Sequence, residues 1–248
     1  MNILDYVYPN GLVPAAPVPH GYSNFWVRDG YYVGLCCGGA VKDRIWDGMI
    51  QLLDSYRWKL EIHSKKPPLH WYEYIHIRYS PTGKEIEGEH WMHNQFDAYA
   101  NWGEICLDVE RLDLAALLVD YLHTLQFHKK PSAGAWEDRN TCDAYSLAAC
   151  IHFLQRAKKF LPLKQAMIEH MVRLGTKRLY ALMPFATVNK TVCLSLLGVI
   201  WPFDMAGPYK QDIIDLAILH LKREPYGFIR YPGDSYDGEG FSRKTGTE

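Results

Sequence analysis

The chain has 248 residues, long enough to bury a sizeable core as one large domain or two small ones. Its hydrophobic content of 48%, charged content of 22% and formal net charge of −1 are ordinary for a soluble globular protein. Because lysine and arginine form no block along the chain, the sequence argues against nucleic acid as a partner.

The N-terminal segment has neither a basic region nor an unbroken apolar stretch, so it is not predicted to be a signal peptide. No uncharged apolar run approaches the ~20 residues that a membrane-spanning helix needs. The six cysteines lie mostly within helical patterns, which indicates reduced thiols in a core. These features predict a cytoplasmic protein without a membrane partner.

Aromatic residues are unusually frequent, with 17 Tyr, 9 Phe and 8 Trp. Tyr and Trp offer flat apolar faces with a polar edge, which suits ligands that are partly apolar and partly hydroxylated. A core rich in large side chains would explain the same composition. The segment YSNFWVRDGYY (22–32) concentrates such residues around Arg28 and Asp29, and these charged types are rarely buried unless they are paired or serve a site.

Helical periodicity dominates the chain after this segment. An apolar stripe over 45–60 predicts an amphipathic helix. Two stripes on one helix over 96–112 predict burial on more than one side, and a one-sided helix follows over 114–125.

The second half of the chain repeats this pattern. Helical spacing appears over 147–161, with Asp143 near the start, and again over 167–174. The segment 190–203 is apolar nearly all round, which predicts an inner helix, and a one-sided helix with Ile214 and Ile218 follows.

About eight helices therefore alternate between nearly all-apolar and one-sided, as two concentric helix layers would require. Strand signals are weak and fall at 11–15, 73–79 and 226–231. Long connectors at 61–92, 129–141 and 223–248 are places where functional loops are expected.

The best local candidate for chemistry is SAGAWEDRN (132–140). Trp136 could supply an apolar wall that raises the pKa of Glu137, which would make that carboxyl a usable general acid. Arg139 could instead keep the same carboxylate ionised by pairing with it. As a bare pattern, the segment is explained more simply by a surface pair of Glu137 and Arg139 without function.

A second polar cluster occupies HWMHNQFDAYANWGE (90–104). Gln95 and Asp97 stand at the start of a predicted helix, where polar groups often act only as caps. His90 and His93 lack a third ligand at a recognisable spacing, so no metal or cofactor is predicted. Searches for a nucleophile elbow, a phosphate loop and a dinucleotide fingerprint find no match.

Taken in order, YSNFWVRDGYY, HNQFDAYANWGEI and GAWEDR resemble successive signature segments of glycoside hydrolase family 15, which contains glucoamylases, glucodextranases and some trehalases. TVNKTVCLSLLGVIWPFDM and YGFIRYPGDSYDG are similar to a later inner helix and loop of that family. The resemblance covers nearly the whole chain. It implies an all-α fold, the (α/α)6 barrel of six helical hairpins, here as a single partial domain over 1–248 with about eight of the twelve helices.

The resemblance also implies an inverting, exo-acting hydrolase that releases β-glucose from the non-reducing ends of α-glucosides. Such an enzyme needs an acid and a base carboxyl group ~6.5–9.5 Å apart. Glu137 would be the general acid, and Arg28 and Asp29 would bind the hydroxyls of the terminal glucose. The remaining substrate-binding residues that the resemblance implies are Tyr22, Trp26, Trp91, Gln95, Asp97, Trp136 and Arg139.

One departure from the family pattern leaves alternatives open. The family's general base lies in a Ser/Pro-Glu-Gln/Glu motif that is not found before Glu248, and Glu239 and Glu248 are weak substitutes. The chain is therefore either an active hydrolase by family or a sugar-binding or regulatory remnant that lacks the base. A helical-barrel enzyme acting on uronides or mannosides is a third reading. An incomplete barrel would expose apolar inner surface, which predicts aggregation or a partner; the linkage of the α-glucan or α-glucoside stays open.

Overall fold

A computed structural model describes residues 3–16, 22–86, 93–137, 140–225 and 227–234. Two short antiparallel strand pairs join β1 (Phe25–Trp26) to β2 (Arg78–Tyr79) and β3 (Lys222–Arg223) to β4 (Gly227–Phe228). The rest of the regular structure is helical, and the α-helices of the described residues are α1 (Val27–Cys36), α2 (Gly39–Ser55), α3 (Arg57–His63), α4 (Phe96–Asp108), α5 (Leu112–Leu125), α6 (Ala144–Ala157), α7 (Gln165–Leu182), α8 (Leu197–Ile200) and α9 (Lys210–Leu221). The predicted all-α class is confirmed.

The helices form two layers. The inner helices α1, α4, α6 and α8 contact one another in chain order, and each is followed by an outer helix that packs against it. The outer members are α2, α5, α7 and α9, with α3 continuing α2 after an interruption at Tyr56. The described residues thus supply four inner–outer pairs, which agrees with the predicted alternation of about eight helices.

Burial explains which helices lie inside. Every residue of α4 from Phe96 to Leu107 is buried, whereas α7 buries only the stripe Ile168, Met171, Gly175, Leu179 and Leu182. Small residues let the inner helices approach closely: a Cβ added to Gly103 on α4 would lie 2.4 Å from the ring of Phe153 on α6.

The predicted inner helix over 190–203 is wrong in extent. Only a 3₁₀ turn at Leu194–Leu196 and the four-residue α8 are helical. The backbone before them is taken by other partners, because the Ala186 N–H donates to the Thr191 carbonyl and the Leu194 N–H donates to the Arg230 carbonyl. Pro202 follows Trp201 directly, and Trp201 is 58% exposed rather than buried.

The boundaries of other helices and strands also differ from the predicted ones. The predicted helix over 96–112 ends at Asp108, and α9 buries Ile213, Ala217 and Leu221 while Ile218 is half exposed. Of the predicted strands, the segment 11–15 forms none, and the other two shrink to the two-residue strands β2 and β4. Short runs of alternating apolar residues predict strands, although here they are irregular connectors with local pairing.

Two observations bear on the expected environment. None of the described helices is both long and apolar enough to cross a membrane. The six cysteines all lie among the described residues and are free thiols, with Cys106, Cys150 and Cys193 buried and Cys36 exposed.

Apolar side chains exposed on the last inner–outer pair include Leu197, Trp201, Ile218 and Leu219.

Replacing Gly103 by alanine tests the close packing of α4 on α6. Alanine favours a helix by ~1 kcal/mol, but its methyl group would collide with the buried Phe153 ring. We expect Gly103→Ala to lower the free energy of unfolding in urea by about 1–3 kcal/mol. A Cβ at Gly38 meets no atom within 4 Å, so Gly38→Ala should change that free energy by less than about 1 kcal/mol. Equal effects of the two substitutions would contradict this packing argument.

Candidate active site

The N-terminal ends of the inner helices meet at one end of the toroid. Arg28 and Asp29 lie in the first turn of α1, Gln95 is the N-cap of α4 with Asp97 in its first turn, and Asp143 caps α6. Because each outer helix returns the chain, successive inner helices run in the same direction and present the same end. Helix N-termini carry partial positive charge, which favours carboxylates at this end.

Arg28 is the hub of this cluster. Its Nε donates to Asp97 Oδ2 at 2.7 Å, and its Nη2 donates to Gln95 Oε1 at 2.8 Å. Its Nη1 and Nη2 also donate to the carbonyls of Ala135 (2.7 Å) and Gly134 (2.9 Å). Four of the five guanidinium N–H groups are therefore used within the protein. The buried partner of Arg28 is Asp97, whereas the adjacent Asp29 is exposed.

A serine network extends this contact to α6. Asp97 has no exposed side-chain surface, and its Oδ1 accepts from Ser146 Oγ at 3.4 Å. Ser146 Oγ lies 3.2 Å from Ser132 Oγ, which in turn accepts from the backbone N–H groups of Phe96 and Gly134. The segment 132–137 is thus attached to three inner helices.

Glu137 lies at the end of that segment. Its side chain is 14% exposed, and its Oε1 is 3.7 Å from Arg28 Nη1. Burial raises the pKa of Glu137; Arg28 and a hydrogen bond from Gln95 lower it, and the net direction is upward. Its backbone adopts φ +59°, a left-handed conformation that is strained for a residue other than glycine. A carboxyl group that holds its proton in a partly buried site is suited to general-acid chemistry.

The predicted aromatic residues lie on both sides of this centre. Trp136 Nε1 lies 2.9 Å from Cys193 Sγ, and the Arg230 guanidinium lies 5.5 Å from the Trp136 ring. Trp26 is buried, with the Tyr22 ring centroid 5.8 Å from its own and the Arg78 guanidinium 5.8 Å from it. Trp26 is therefore packed between an aromatic ring and a guanidinium group beside the start of α1.

Two arginines were missed by the sequence reasoning. Arg230 binds the carboxylate of Asp234, with Nε 2.8 Å from Oδ2, and it lies over Trp136. The R-Y-x-x-D pattern, which places the two charges four residues apart, was the available signal. Arg78 lies over Trp26, and the Glu137 charge acts on its pKa; only the pairing of β2 with β1 reveals this position.

Several predicted residues lie outside the described residues: Trp91, Arg139, His90, Glu239 and Glu248. His93 is buried and stacks on His76, with ring centroids 3.9 Å apart. Burial and His93 together lower the pKa of His76 to about 3. Within the described ranges, no cluster of three or more His, Cys, Asp or Glu side chains is arranged to hold a metal ion.

Asp143 is a further buried carboxyl group near this centre. Its Oδ1 accepts from the Ser146 N–H at 2.8 Å, which is the N-cap expected from its position. Burial raises the pKa of Asp143 to about 6; the bonds from Ser146 lower it, while the nearby charge of Asp97 raises it.

Solved structures of glycosidases share this architecture. A glycosidase variant with a glutamate replaced by alanine, in complex with glucose, matches with a TM-score of 0.78 at 19% identity, covering 94% of this chain and 71% of its own. A glucoamylase from Saccharomycopsis fibuligera matches with a TM-score of 0.65 at 13% identity, covering 95% and 63%. A bacterial glucoamylase complexed with acarbose matches with a TM-score of 0.61 at 14% identity, covering 87% and 36%.

These matches show that the chain has the glucoamylase-like helical toroid fold, as its motifs predict. The identities are low, so the likeness extends to the fold alone. No protein-family model matches the chain, and no curated protein matches it by sequence.

Removing Arg28 tests its role as the hub. Arg28→Met leaves Asp97 buried without its cation, so we expect the free energy of unfolding to fall by about 3–5 kcal/mol. Arg57 also contacts acidic side chains, those of Asp54, Glu61 and Asp113, but near the exposed surface. The matched control Arg57→Met should cost less than about 1 kcal/mol. A similar loss in both variants, measured in urea, would contradict the assignment.

The raised pKa of Asp143 predicts a pH dependence of stability. With a pKa of 3.8 when unfolded and about 6 when folded, the folded state binds the proton more tightly. The wild type should therefore lose on the order of 2–3 kcal/mol between pH 4 and pH 7 that Asp143→Asn does not lose. Unfolding free energies of both proteins across this range measure the difference. Asp120→Asn on the outer helix α5 is the control; a pH-independent difference for Asp143→Asn would refute the expectation.

Proposed function

We propose that this chain is an inverting, exo-acting α-glucoside hydrolase of the glucoamylase type, with Glu137 as its general acid. The observation that carries the proposal is the setting of Glu137: a partly buried carboxyl group with a raised pKa, 3.7 Å from Arg28, where the inner helices converge. The toroid fold shared with glycosidases and glucoamylases supports the same reaction class.

Glu137 would donate its proton to the glycosidic oxygen as the bond to the anomeric carbon breaks. Water would attack the opposite face of the sugar, assisted by a carboxylate base. Asp97 is unsuited to that second role because it is fully buried and holds Arg28 and Ser146. The base candidates Glu239 and Glu248 lie outside the described residues.

Recognition of the terminal glucose would involve charged groups with aromatic walls. The exposed carboxylate of Asp29 suits the vicinal hydroxyls of a sugar, and Arg230 is held by Asp234 in a fixed orientation beside Trp136. Tyr22 and Trp26 would wall the subsite, and Trp91 and Arg139 are assigned to the substrate from the family resemblance. Arg28 would act mainly by holding Gln95 and the 134–137 segment, because most of its donors are occupied.

The substrate class proposed is an α-glucan or α-glucoside oligosaccharide. A glycosidase of this fold is in complex with glucose, and a bacterial glucoamylase is complexed with acarbose. These two complexes support a sugar as the ligand of this chain as well. Maltodextrin, dextran and trehalose remain the alternatives.

A second candidate is sugar binding without hydrolysis. The observation that favours it is the commitment of Asp97, the carboxylate closest to Arg28, to structural contacts. In that case the chain would bind glucose or acarbose but release no product.

Glu137→Gln tests the proposed acid. We expect glucose release from maltose, maltodextrin, isomaltose or trehalose to fall about 100- to 10,000-fold, because the leaving oxygen is no longer protonated. Proton NMR of the first product should show the β-anomer. Glu110 is a matched control, since it also has a left-handed backbone (φ +57°) and is exposed; Glu110→Gln should keep full activity.

The same variants separate the two candidates. Full activity of Glu137→Gln would contradict the acid assignment. A wild type that binds acarbose by calorimetry but hydrolyses none of the four substrates would favour the second candidate. Absence of both binding and hydrolysis would refute both.

A further inference from the structure

A small cavity separates the Glu137-bearing segment from the start of α6. It offers about 50 Å³ to water-sized occupants, enough for one or more water molecules. Its walls combine the backbone of 133–136 with hydroxyl, thiol and carboxyl groups, contributed by Thr141, Asp143, Thr187, Thr191, Cys193, Ser195 and Tyr231.

Asp143 lines this cavity, and one of its carboxyl oxygens is buried without a partner. Asp143 is only 7% exposed, and its Oδ1 is occupied by the Ser146 N–H, whereas Oδ2 has no hydrogen-bond partner among the described residues. A buried polar atom without a partner is costly, so native proteins usually satisfy it with protein groups or ordered water. A Cβ added to Gly134 would lie 3.4 Å from Oδ2, so this oxygen lies close to the segment that leads to Glu137.

The segment thus lies beside two ionisable side chains, the partly buried Arg28 and the buried Asp143. Arg28 binds the carbonyl groups of Gly134 and Ala135, while Asp143 Oδ2 lies 3.4 Å from where a Cβ on Gly134 would stand. Gly134 has φ +66°, and Glu137 has the strained φ noted above, so the conformation of this segment depends on its surroundings.

We propose that Asp143 is a positioning residue for Glu137: its Oδ2, through water in the cavity, supports the 133–137 segment and so sets the direction of the acid. The role of Glu137 in this statement rests on the proposed function. The support of the segment by Asp143 does not.

Below its pKa of about 6 the carboxyl group of Asp143 can donate a hydrogen bond to water in the cavity, and above that pH it can only accept one. Its pKa of about 6 reflects burial and Asp97, with Arg28 opposing. The titratable or charged groups around it on the packed elements are Arg28 (α1), Asp97 (α4), Cys142, Cys150 (α6), Arg178 (α7, bonded to Cys142), Cys193 and Tyr231. Asparagine at position 143 imitates the protonated form, because it offers an acceptor for Ser146 and a donor for the cavity.

Two substitutions separate the role of Asp143 as the N-cap of α6 from its support of the 133–137 segment. Asp143→Asn keeps an acceptor for the Ser146 N–H and a polar group at the position of Oδ2. Asp143→Ser keeps the acceptor but removes the polar group at the position of Oδ2. Asp120→Ser, on the outer helix α5 where Asp120 binds Lys164, is the matched control. Hydrogen exchange of the amides in 132–137 reports on the segment without requiring any activity.

We expect exchange in 132–137 to accelerate at least tenfold in Asp143→Ser and to change less than threefold in Asp143→Asn and Asp120→Ser. With maltose, whose leaving oxygen needs protonation, kcat should fall about tenfold in Asp143→Ser with KM within twofold of the wild type, and Asp143→Asn should keep the wild-type kcat. This separation of kcat from KM indicates positioning of the acid rather than a loss of substrate binding.

Unchanged exchange in 132–137 of Asp143→Ser would overturn the proposal, as would equal effects of the serine and asparagine variants on exchange. If exchange is faster in Asp143→Ser but the wild type hydrolyses no substrate, Asp143 does support the segment and the proposed function is refuted instead. If Asp143→Ser does not fold, Asp143→Asn still decides: a tenfold faster exchange in that variant overturns the proposal.

Discussion

The ion pair between Arg28 and Asp97 is the contact on which this end of the toroid depends. It joins α1 to α4 at the point where both helices begin, and Asp97 is completely buried. An isolated carboxylate could not remain ionised at that depth, because the free-energy cost of removing the charge from water would exceed the free energy gained by packing. The guanidinium offsets that cost with a direct bond, and the Ser146 hydroxyl adds another. One arginine therefore allows several polar residues to occupy the centre of an apolar toroid.

The setting of Glu137 follows from the same pair. Because Arg28 spends two further donors on the carbonyls of Gly134 and Ala135, the chain is bound to the hub just before Glu137. The strained backbone of Glu137 is held by these bonds and by the pairing of Ser132 with Thr141. Arg28 also lies 3.7 Å from Glu137, so it limits how far burial raises the pKa of that carboxyl group. The same side chain thus holds the chain beside Glu137 and moderates the proton affinity of Glu137.

Motifs in the sequence predicted most of the residues that meet at this end, although not their partners. Arg28 and Asp29 are neighbours in the chain and suggest a local pair, yet Asp97 binds the arginine and Asp29 is exposed. The position of Gln95 and Asp97 at a helix start suggests simple caps, but both side chains bind Arg28. The sequence does not predict that Arg78 and Arg230 lie near these residues, because each is placed there by a contact distant in sequence. For Arg78 that contact is the pairing of β2 with β1, and for Arg230 it is the ring of Trp136.

The amino-acid sequence by itself determined the helical class, the alternation of inner and outer helices, and the motifs that place Glu137 beside Trp136. These features are local, because the period of apolar residues and the order of short motifs can be read without knowing what lies opposite. The tertiary structure alone decided that 190–203 is mostly irregular, since the backbone in its first part bonds to Ala186 and Arg230. It also decided the partner of Arg28 and the raised pKa values of Glu137 and Asp143, because burial and charge at those groups come from residues on several different helices.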